Sequence, residues 1–138
     1  MKKSIYLLVV CSSILFLGCK KNPDDNLSGT YSLKLDESRN MPENGKAGLL
    51  SLVELQDNRC PENIFCLTSG MSFLKIKLID QKKQQVLQFC FDVCDRRDQV
   101  VRLNGTYYTI RLENVLPLPP GGSATHRPTA TFTISKIE

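Results

Sequence analysis

Residues Gln99–Leu112 read QVVRLNGTYYTIRL, and this stretch carries the clearest structural signal in the chain. Asn104-Gly105 separates two runs in which apolar and polar side chains alternate. A type I′ turn needs positive φ at both central residues, which Asn and Gly tolerate, so the stretch predicts a tight β-hairpin. The second run places three side chains on its inner face: Tyr108, Ile110 and Leu112.

The same period of two recurs on both sides of this hairpin. The further runs that it predicts as strands are Leu27–Leu35, Leu49–Gln56, Met71–Asp80, Gln85–Phe91 and Thr129–Ile137. Asp36–Gly48 is polar and rich in turn residues, which predicts a long loop. Because no segment of ten or more residues has a helical period, the chain is predicted to be all-β. Seven or so short strands indicate an antiparallel sandwich or barrel, and of these we expect an immunoglobulin-like β-sandwich.

The start of the chain has the features of an export signal. Lys2 and Lys3 precede the apolar run Ile5–Leu17, which is shorter than the roughly 20 residues that cross a bilayer. Such a run after a basic start is typical of a secretory signal peptide. It ends at Gly18-Cys19, so either an ordinary signal is cut near an incidental cysteine or the cysteine itself is modified.

Leu17-Gly18-Cys19 resembles the lipobox of bacterial lipoproteins, in the looser form found in Bacteroidetes. That resemblance implies that residues 1–18 are removed and that Cys19 is lipidated. Residues 19–26 would then be a tether, and residues 27–138 the β domain. The expected location is the cell envelope, as an outer-membrane lipoprotein on the periplasmic face or the cell surface.

Composition excludes several classes of function. The chain has 18 Lys and Arg against 14 Asp and Glu, and loss of the leader's two lysines leaves 16 against 14, a net charge of +2. This balance gives no reason to expect a nucleic-acid partner. His126 is the only histidine, which disfavours a histidine metal cage and a Ser-His-Asp triad. We expect it in a loop beside Arg127, with no role as a ligand or base, and we expect no cofactor.

Four cysteines remain in the predicted domain: Cys60, Cys66, Cys90 and Cys94. An even number in an exported chain indicates two disulfides, of which three pairings are possible. A zinc site of four thiolates is the alternative. The five residues between Cys60 and Cys66 suit zinc poorly, because structural sites prefer pairs separated by two to four residues.

Asp57–Gly70 reads DNRCPENIFCLTSG. The pattern Asp-x-Arg-Cys-Pro-x4-Cys-x3-Gly resembles a group of small secreted and lipid-anchored bacterial β domains of unassigned function. The resemblance implies that Cys60 and Cys66 close a loop between two strands and that Gly70 starts the second strand. Thr68 stands where Trp is common in that group.

Residue chemistry adds to this interpretation of the loop. Pro61 favours a turn, and Asp57 can cap loop amides or pair with Arg59. We expect the second bridge to join Cys90 and Cys94. It requires a turn at Asp92-Val93, because residues four apart in an extended strand are about 13 Å apart; without that turn, a crossed pairing replaces both bridges.

Two patterns have a weak resemblance to chemical sites. Ser72 and Lys75 match the Ser-x-x-Lys of serine acyl-enzymes, but on a predicted strand they point to opposite faces. A second group would offer oxygen ligands for calcium, although neighbouring arginines compete for them. It comprises Asp92, Asp95 and Asp98, with Arg96 and Arg97 among them.

The proline-rich segment after the hairpin is a candidate partner-binding loop. Proline holds a segment extended before a partner arrives, which lowers the ordering cost of binding. An ordinary crossover between strands is the alternative. The residues are Leu116, Pro117, Leu118, Pro119 and Pro120.

From these features we expect a lipid-anchored, non-enzymatic binding or scaffolding module whose partner is another envelope protein. The alternative is an inhibitor or ligand-sequestering domain acting on an envelope hydrolase, a glycan or a small molecule. It would use the loops around Cys60–Cys66 and Leu116–Thr125. An enzyme would instead gather Asp57, Arg59 and the Asp92–Asp98 loop in a deep pocket.

Overall fold

A computed structural model describes residues 26–81, 83–94, 96–121 and 125–138, and all regular structure in these ranges is β-strand. No helix long and apolar enough to cross a membrane occurs in this part of the chain. The eight strands are β1 Gly29–Lys34, β2 Ser38–Met41, β3 Gly48–Asp57, β4 Met71–Asp80, β5 Gln84–Asp92, β6 Asp98–Leu103, β7 Thr106–Leu116 and β8 Thr129–Lys136.

The strands form two antiparallel four-stranded sheets, ordered β1-β8-β7-β6 and β2-β3-β4-β5. The predicted all-β antiparallel sandwich is confirmed, with eight strands in place of about seven. Every hydrogen-bonded pair except β1–β8 joins strands that are consecutive in sequence. This meander differs from the Greek-key connections of immunoglobulin domains, because strands that follow one another in sequence lie side by side within each sheet.

The hairpin that dominates the sequence forms as predicted. Asn104 and Gly105 have φ values of 49° and 84°, and Leu103 pairs with Thr106 on either side of them. The three side chains predicted on the inner face of β7 are all buried: Tyr108, Ile110 and Leu112. Strand β7 continues beyond the predicted end to Leu116, after a bulge between Leu112 and Asn114. Because the bulge interrupts the alternation of apolar and polar side chains, the sequence pattern does not show that the strand continues to Leu116.

Two sequence predictions near β2 are wrong. Asp36–Gly48 is not a loop throughout, since Ser38–Met41 pairs with β3. Three of the four β2 residues are exposed, so this short edge strand leaves no apolar alternation in the sequence. The predicted strand Leu27–Leu35 ends one residue too late: Leu35, which alternates with Tyr31 and Leu33 in the sequence, lies in the turn after β1 and is 50% exposed.

The core lies between the two sheets. Phe89 on β5 meets Phe132 on β8 edge to face, with 5.4 Å between ring centroids, so aromatic packing joins one sheet to the other. The remaining core comes from the inner faces of both sheets and includes Leu33, Leu50, Leu52, Leu74, Ile76, Leu78, Leu103, Ile110, Leu112 and Ile134.

The sandwich has two distinct ends. Gly29 and Lys136 lie at one end with the Asn104-Gly105 turn, which we call the amino-terminal end. The backbone amide of Asn104 donates to Asp80 Oδ2 at 3.2 Å, which joins the second sheet there. At the opposite end, which we call the loop end, lie three long connections: 58–70, 93–97 and 117–128.

Candidate functional site

Asp57, the last residue of β3, is the centre of a buried polar cluster at the loop end. Its carboxylate receives two parallel hydrogen bonds from Arg59, from Nε to Oδ1 and from Nη2 to Oδ2, both at 2.7 Å. Ser72 Oγ donates to Oδ1 at 2.7 Å, and His126 Nε2 lies 2.9 Å from Oδ2. The Asp57 and Arg59 side chains are 1% and 4% exposed. We call these four residues the Asp57 cluster.

The surroundings of Asp57 favour its ionised form. Burial alone would raise the pKa of this carboxyl group. Hydrogen bonds from Arg59, His126 and Ser72 outweigh burial and hold the pKa of Asp57 well below its ordinary value of 3.8. The cluster is therefore a compensated buried ion pair at neutral pH.

The geometry of the cluster is not that of a serine nucleophile. In a Ser-His-Asp triad the serine bonds to the histidine, which takes its proton. Here Ser72 and His126 both bond to Asp57, and Ser72 is fully buried. An ionised carboxylate only accepts hydrogen bonds, so the hydroxyl of Ser72 is used as a donor. The cluster therefore joins β3, β4 and the loop that carries His126.

Arg59 extends the cluster to the other loops. Its Nη2 also donates to the carbonyl oxygen of Pro117 at 3.4 Å. Its Nε lies 3.8 Å from Asp92 Oδ2 at the end of β5, and its guanidinium carbon lies 5.7 Å from the centroid of the Phe91 ring. One buried cation thus contacts groups from all three connections or their flanking strands.

Gly70 allows the loop that carries Arg59 to lie against the start of β4. A Cβ atom at Gly70 would be 1.6 Å from the carbonyl oxygen of Asn58 and 2.8 Å from the Cα of Arg59. These are backbone atoms, which a rotamer change cannot move. The Gly70 of the sequence motif is therefore required by a close approach of two backbone segments.

The predicted disulfides Cys60–Cys66 and Cys90–Cys94 are both present. The turn that the second bridge requires occurs at Asp92, where φ is 82°. Within the first bridge and next to it, three apolar side chains face solvent: Ile64 at 47%, Phe65 at 91% and Leu67 at 95% exposed. We call these three residues the apolar tip.

The proline-rich segment lies beside this disulfide loop. The backbone amide of Glu62 donates to the carbonyl oxygen of Pro119 at 3.2 Å, and Ile64 Cδ1 lies 3.0 Å from the position of a Cβ on Gly121. Leu116 is 55% exposed at the end of β7. Pro117 is exposed, whereas Leu118, Pro119 and Pro120 are half-buried. The disulfide loop and the proline-rich segment, which the sequence predicts as separate loops, therefore form one surface.

The described residues of the other candidate sites do not come together. Ser72 and Lys75 lie on β4, as predicted, with Ser72 buried and Lys75 paired to Glu54 at 2.6 Å. Asp92 approaches Arg59, and Asp98 pairs with Arg111 at 3.5 Å. Among the described residues, no group of three or more His, Cys, Asp or Glu side chains could hold a metal ion. Asp95 and Cys19 lie outside the described residues, as does the predicted signal peptide, residues 1–18.

His126 is the residue that sequence reasoning missed. It lies in a loop, as expected, but its bond to the buried carboxylate of Asp57 was not predicted from the sequence. Its partner Asp57 is 69 residues away in sequence, and a single histidine in a polar loop carries no periodic signal. Only the tertiary structure reveals the pair.

Asp57 and His126 of the cluster also line a cleft, which we call the His126 cleft. Its volume is about 540 Å³, within the range of small-molecule sites. Apolar side chains from β3 and from the connections after β1 and before β8 form part of the wall, and the charged groups are those of the cluster and its neighbours. The lining residues used below are Lys34, Leu35, Asp36, Leu55, His126, Arg127 and Pro128.

Comparison of the chain with family models, with curated proteins and with solved structures finds no match in any of the three. The site is therefore interpreted from its own geometry.

Proposed function

We propose that this protein is a lipid-anchored cell-envelope module that binds another envelope protein through the apolar tip. The observation that carries the proposal is the exposure of Phe65 and Leu67, 91% and 95%, next to a closed disulfide loop. Large aromatic and aliphatic side chains that protrude from a rigid loop are typical anchors of protein interfaces.

Rigidity of the loop supports this role. The Cys60–Cys66 bridge closes the base of the tip, and the Glu62–Pro119 hydrogen bond holds it against the proline-rich segment. Arg59 holds the same segment through its hydrogen bond to the carbonyl oxygen of Pro117. A surface ordered before binding loses less conformational entropy on association, which favours affinity.

The proposed lipid anchor limits how the apolar tip can be placed relative to the membrane. If Cys19 carries lipid, the eight residues to Leu27 span at most about 28 Å. Strand β7 alone has 11 residues, or roughly 35 Å, and it runs from the amino-terminal end to the loop end. The tether is shorter than this strand, so a domain that stands upright on its anchor keeps its loop end away from the same leaflet, which favours a protein over the membrane as the partner. We therefore propose a protein partner for the tip.

Replacing the tip tests this proposal. The variant Phe65→Ser/Leu67→Ser removes the two large apolar side chains that are most exposed among the described residues. Val86→Ser/Val100→Ser is a matched control at other exposed positions, 53% and 63% exposed. We expect one envelope protein to co-purify with the wild type and the control but not with the tip variant. Equal recovery with the tip variant would rule out the tip as the binding surface.

The anchor has a separate test. We expect Cys19→Ala to leave the protein in the soluble fraction and to abolish lipid-dependent mass. A Cys19→Ala protein that stays in the membrane fraction would remove the anchor from the proposal and leave the tip unaffected.

A ligand-sequestering domain is the second candidate function, and one observation favours it. The His126 cleft also contains Thr125, at the edge of the predicted ligand-binding loop Leu116–Thr125. A concave site beside that loop suits a small molecule better than a flat protein surface.

A further inference from the structure

The walls of the His126 cleft differ in chemistry. Leu35, Leu55 and Pro128 supply apolar surface, and Lys34, Asp36, Asp57, His126 and Arg127 supply the charged and titratable groups. A lining that combines apolar and charged side chains suits a ligand that has one apolar part and one charged part.

The net charge of the side chains that line the cleft favours binding of an anion. Asp57 is neutralised by Arg59, which leaves Asp36 as the uncompensated carboxylate of the lining. Neither Lys34 nor Arg127 forms an ion pair among the described residues. The nearby Glu37 carboxylate already accepts hydrogen bonds from Arg39 Nη2 at 2.6 Å and from the backbone amide of Lys34 at 2.9 Å. The two cationic side chains therefore outnumber the free carboxylate.

Three of the residues that line the cleft are held in place by the fold. His126 is held by its bond to Asp57, and its side chain is 19% exposed. Leu55 belongs to β3, two residues before Asp57, and Pro128 is buried just before β8. A site whose wall is ordered by a buried ion pair needs little rearrangement to accept a ligand.

We propose that the His126 cleft binds a small organic carboxylate. Arg127 and Lys34 contact the carboxylate, and the apolar body of the ligand packs against Leu35, Leu55 and Pro128. Arg suits this role because its guanidinium bonds to a carboxylate through two parallel N–H groups. This inference rests on the second candidate function, names its ligand class, and is independent of the apolar tip.

Titration of the isotope-labelled mature protein with phenylacetate, monitored by NMR, tests the proposal, and uncharged phenylacetamide is the matched ligand. We expect phenylacetate to shift the amide signals of Lys34, Leu35, Leu55 and Arg127, and phenylacetamide to bind at least tenfold more weakly. Arg127→Gln and Lys34→Gln should each weaken phenylacetate binding roughly tenfold. Lys136→Gln, an exposed cation at the amino-terminal end, should not change it.

Three results would overturn the assignment: equal binding of the amide, unchanged affinity in both cleft variants, or shifts that map outside the cleft or do not occur. The thermal unfolding temperature of each variant, measured alongside, shows whether a loss of binding reflects the lost cation. Phe65→Ser/Leu67→Ser should bind phenylacetate as the wild type does. The two proposed functions can therefore fail separately: equal recovery of the partner with the tip variant would overturn the tip without affecting the cleft, and absence of phenylacetate binding would overturn the cleft without affecting the tip.

Discussion

Asp57 Oδ2 lies 2.9 Å from His126 Nε2, and this contact joins the end of β3 to a loop 69 residues further along the chain. The same carboxylate accepts two hydrogen bonds from the Arg59 side chain and one from Ser72. The loop end is thus organised around one ionised group, which bonds to Arg59 in the connection that carries the apolar tip and to His126 in the lining of the cleft.

Removing this carboxylate should destabilise the fold strongly. Asp57→Asn leaves the Arg59 charge buried at 4% side-chain exposure, and breaking a buried pair costs about 3–5 kcal/mol. Asp98→Asn is the matched control, because it breaks an ion pair with Arg111 in which both side chains are more than half exposed; that loss should be below about 1 kcal/mol. Urea unfolding measures both, and similar losses would contradict the role of Asp57.

The stability conferred by Asp57 should depend on pH in a defined direction. Because the pKa of Asp57 is lower in the folded chain than its ordinary 3.8, the folded state binds this proton less readily than the unfolded state. The contribution is complete above pH 3.8 and is lost as the pH falls through the lowered pKa. The free-energy difference between wild type and Asp57→Asn, measured by urea unfolding, should shrink steadily below pH 4. A difference that stays constant down to about pH 2 would show that charge is not its cause.

Gly70→Ala should be severely destabilising. A Cβ there would overlap the Asn58 carbonyl oxygen at 1.6 Å, and the backbone must shift, which costs about 3 kcal/mol or more. Gly121→Ala is the control, because its Cβ would meet the end of the Ile64 side chain at 3.0 Å, and that side chain can rotate away. Thermal unfolding that ranks the two variants equally would contradict this account of Gly70.

The Cys60–Cys66 bridge should stabilise the fold and also order the tip. Cys60→Ser/Cys66→Ser should lose about 2 kcal/mol and should accelerate amide hydrogen exchange in residues 61–67. Cys90→Ser/Cys94→Ser should lose a similar amount, because its loop is also short, with no change in exchange at the tip. Unchanged exchange in the first variant would mean that the bridge does not order the tip.

Local patterns in the sequence predicted most of the sandwich but little of the cluster. Side-chain alternation located seven of the eight strands. Both expected disulfides are present: Cys60–Cys66 follows from the resemblance of the Asp57–Gly70 motif, and Cys90–Cys94 has the turn that it requires at Asp92. The pairing of Asp57 with Arg59 was also accessible, because the two residues are two positions apart. These are short-range features, which a single sequence expresses directly.

The remainder depends on contacts between distant segments. Strand β2 exists because β3 offers an edge to pair with, since its own four residues are mostly exposed. The bonds of His126 to Asp57 and of Arg59 to Pro117 span 69 and 58 residues. The sequence alone therefore gives no indication that the disulfide loop, the proline-rich segment and the only histidine meet at one end.

The central claim is that the apolar tip is a partner-binding surface, and site-specific photo-crosslinking in living cells tests it most directly. A photoreactive residue at position 65 or 67 should yield one discrete cross-linked envelope protein, whereas the same residue at position 100, on an exposed part of β6, should yield none. An identical cross-link pattern at all three positions, or no cross-link from the tip, would contradict the claim.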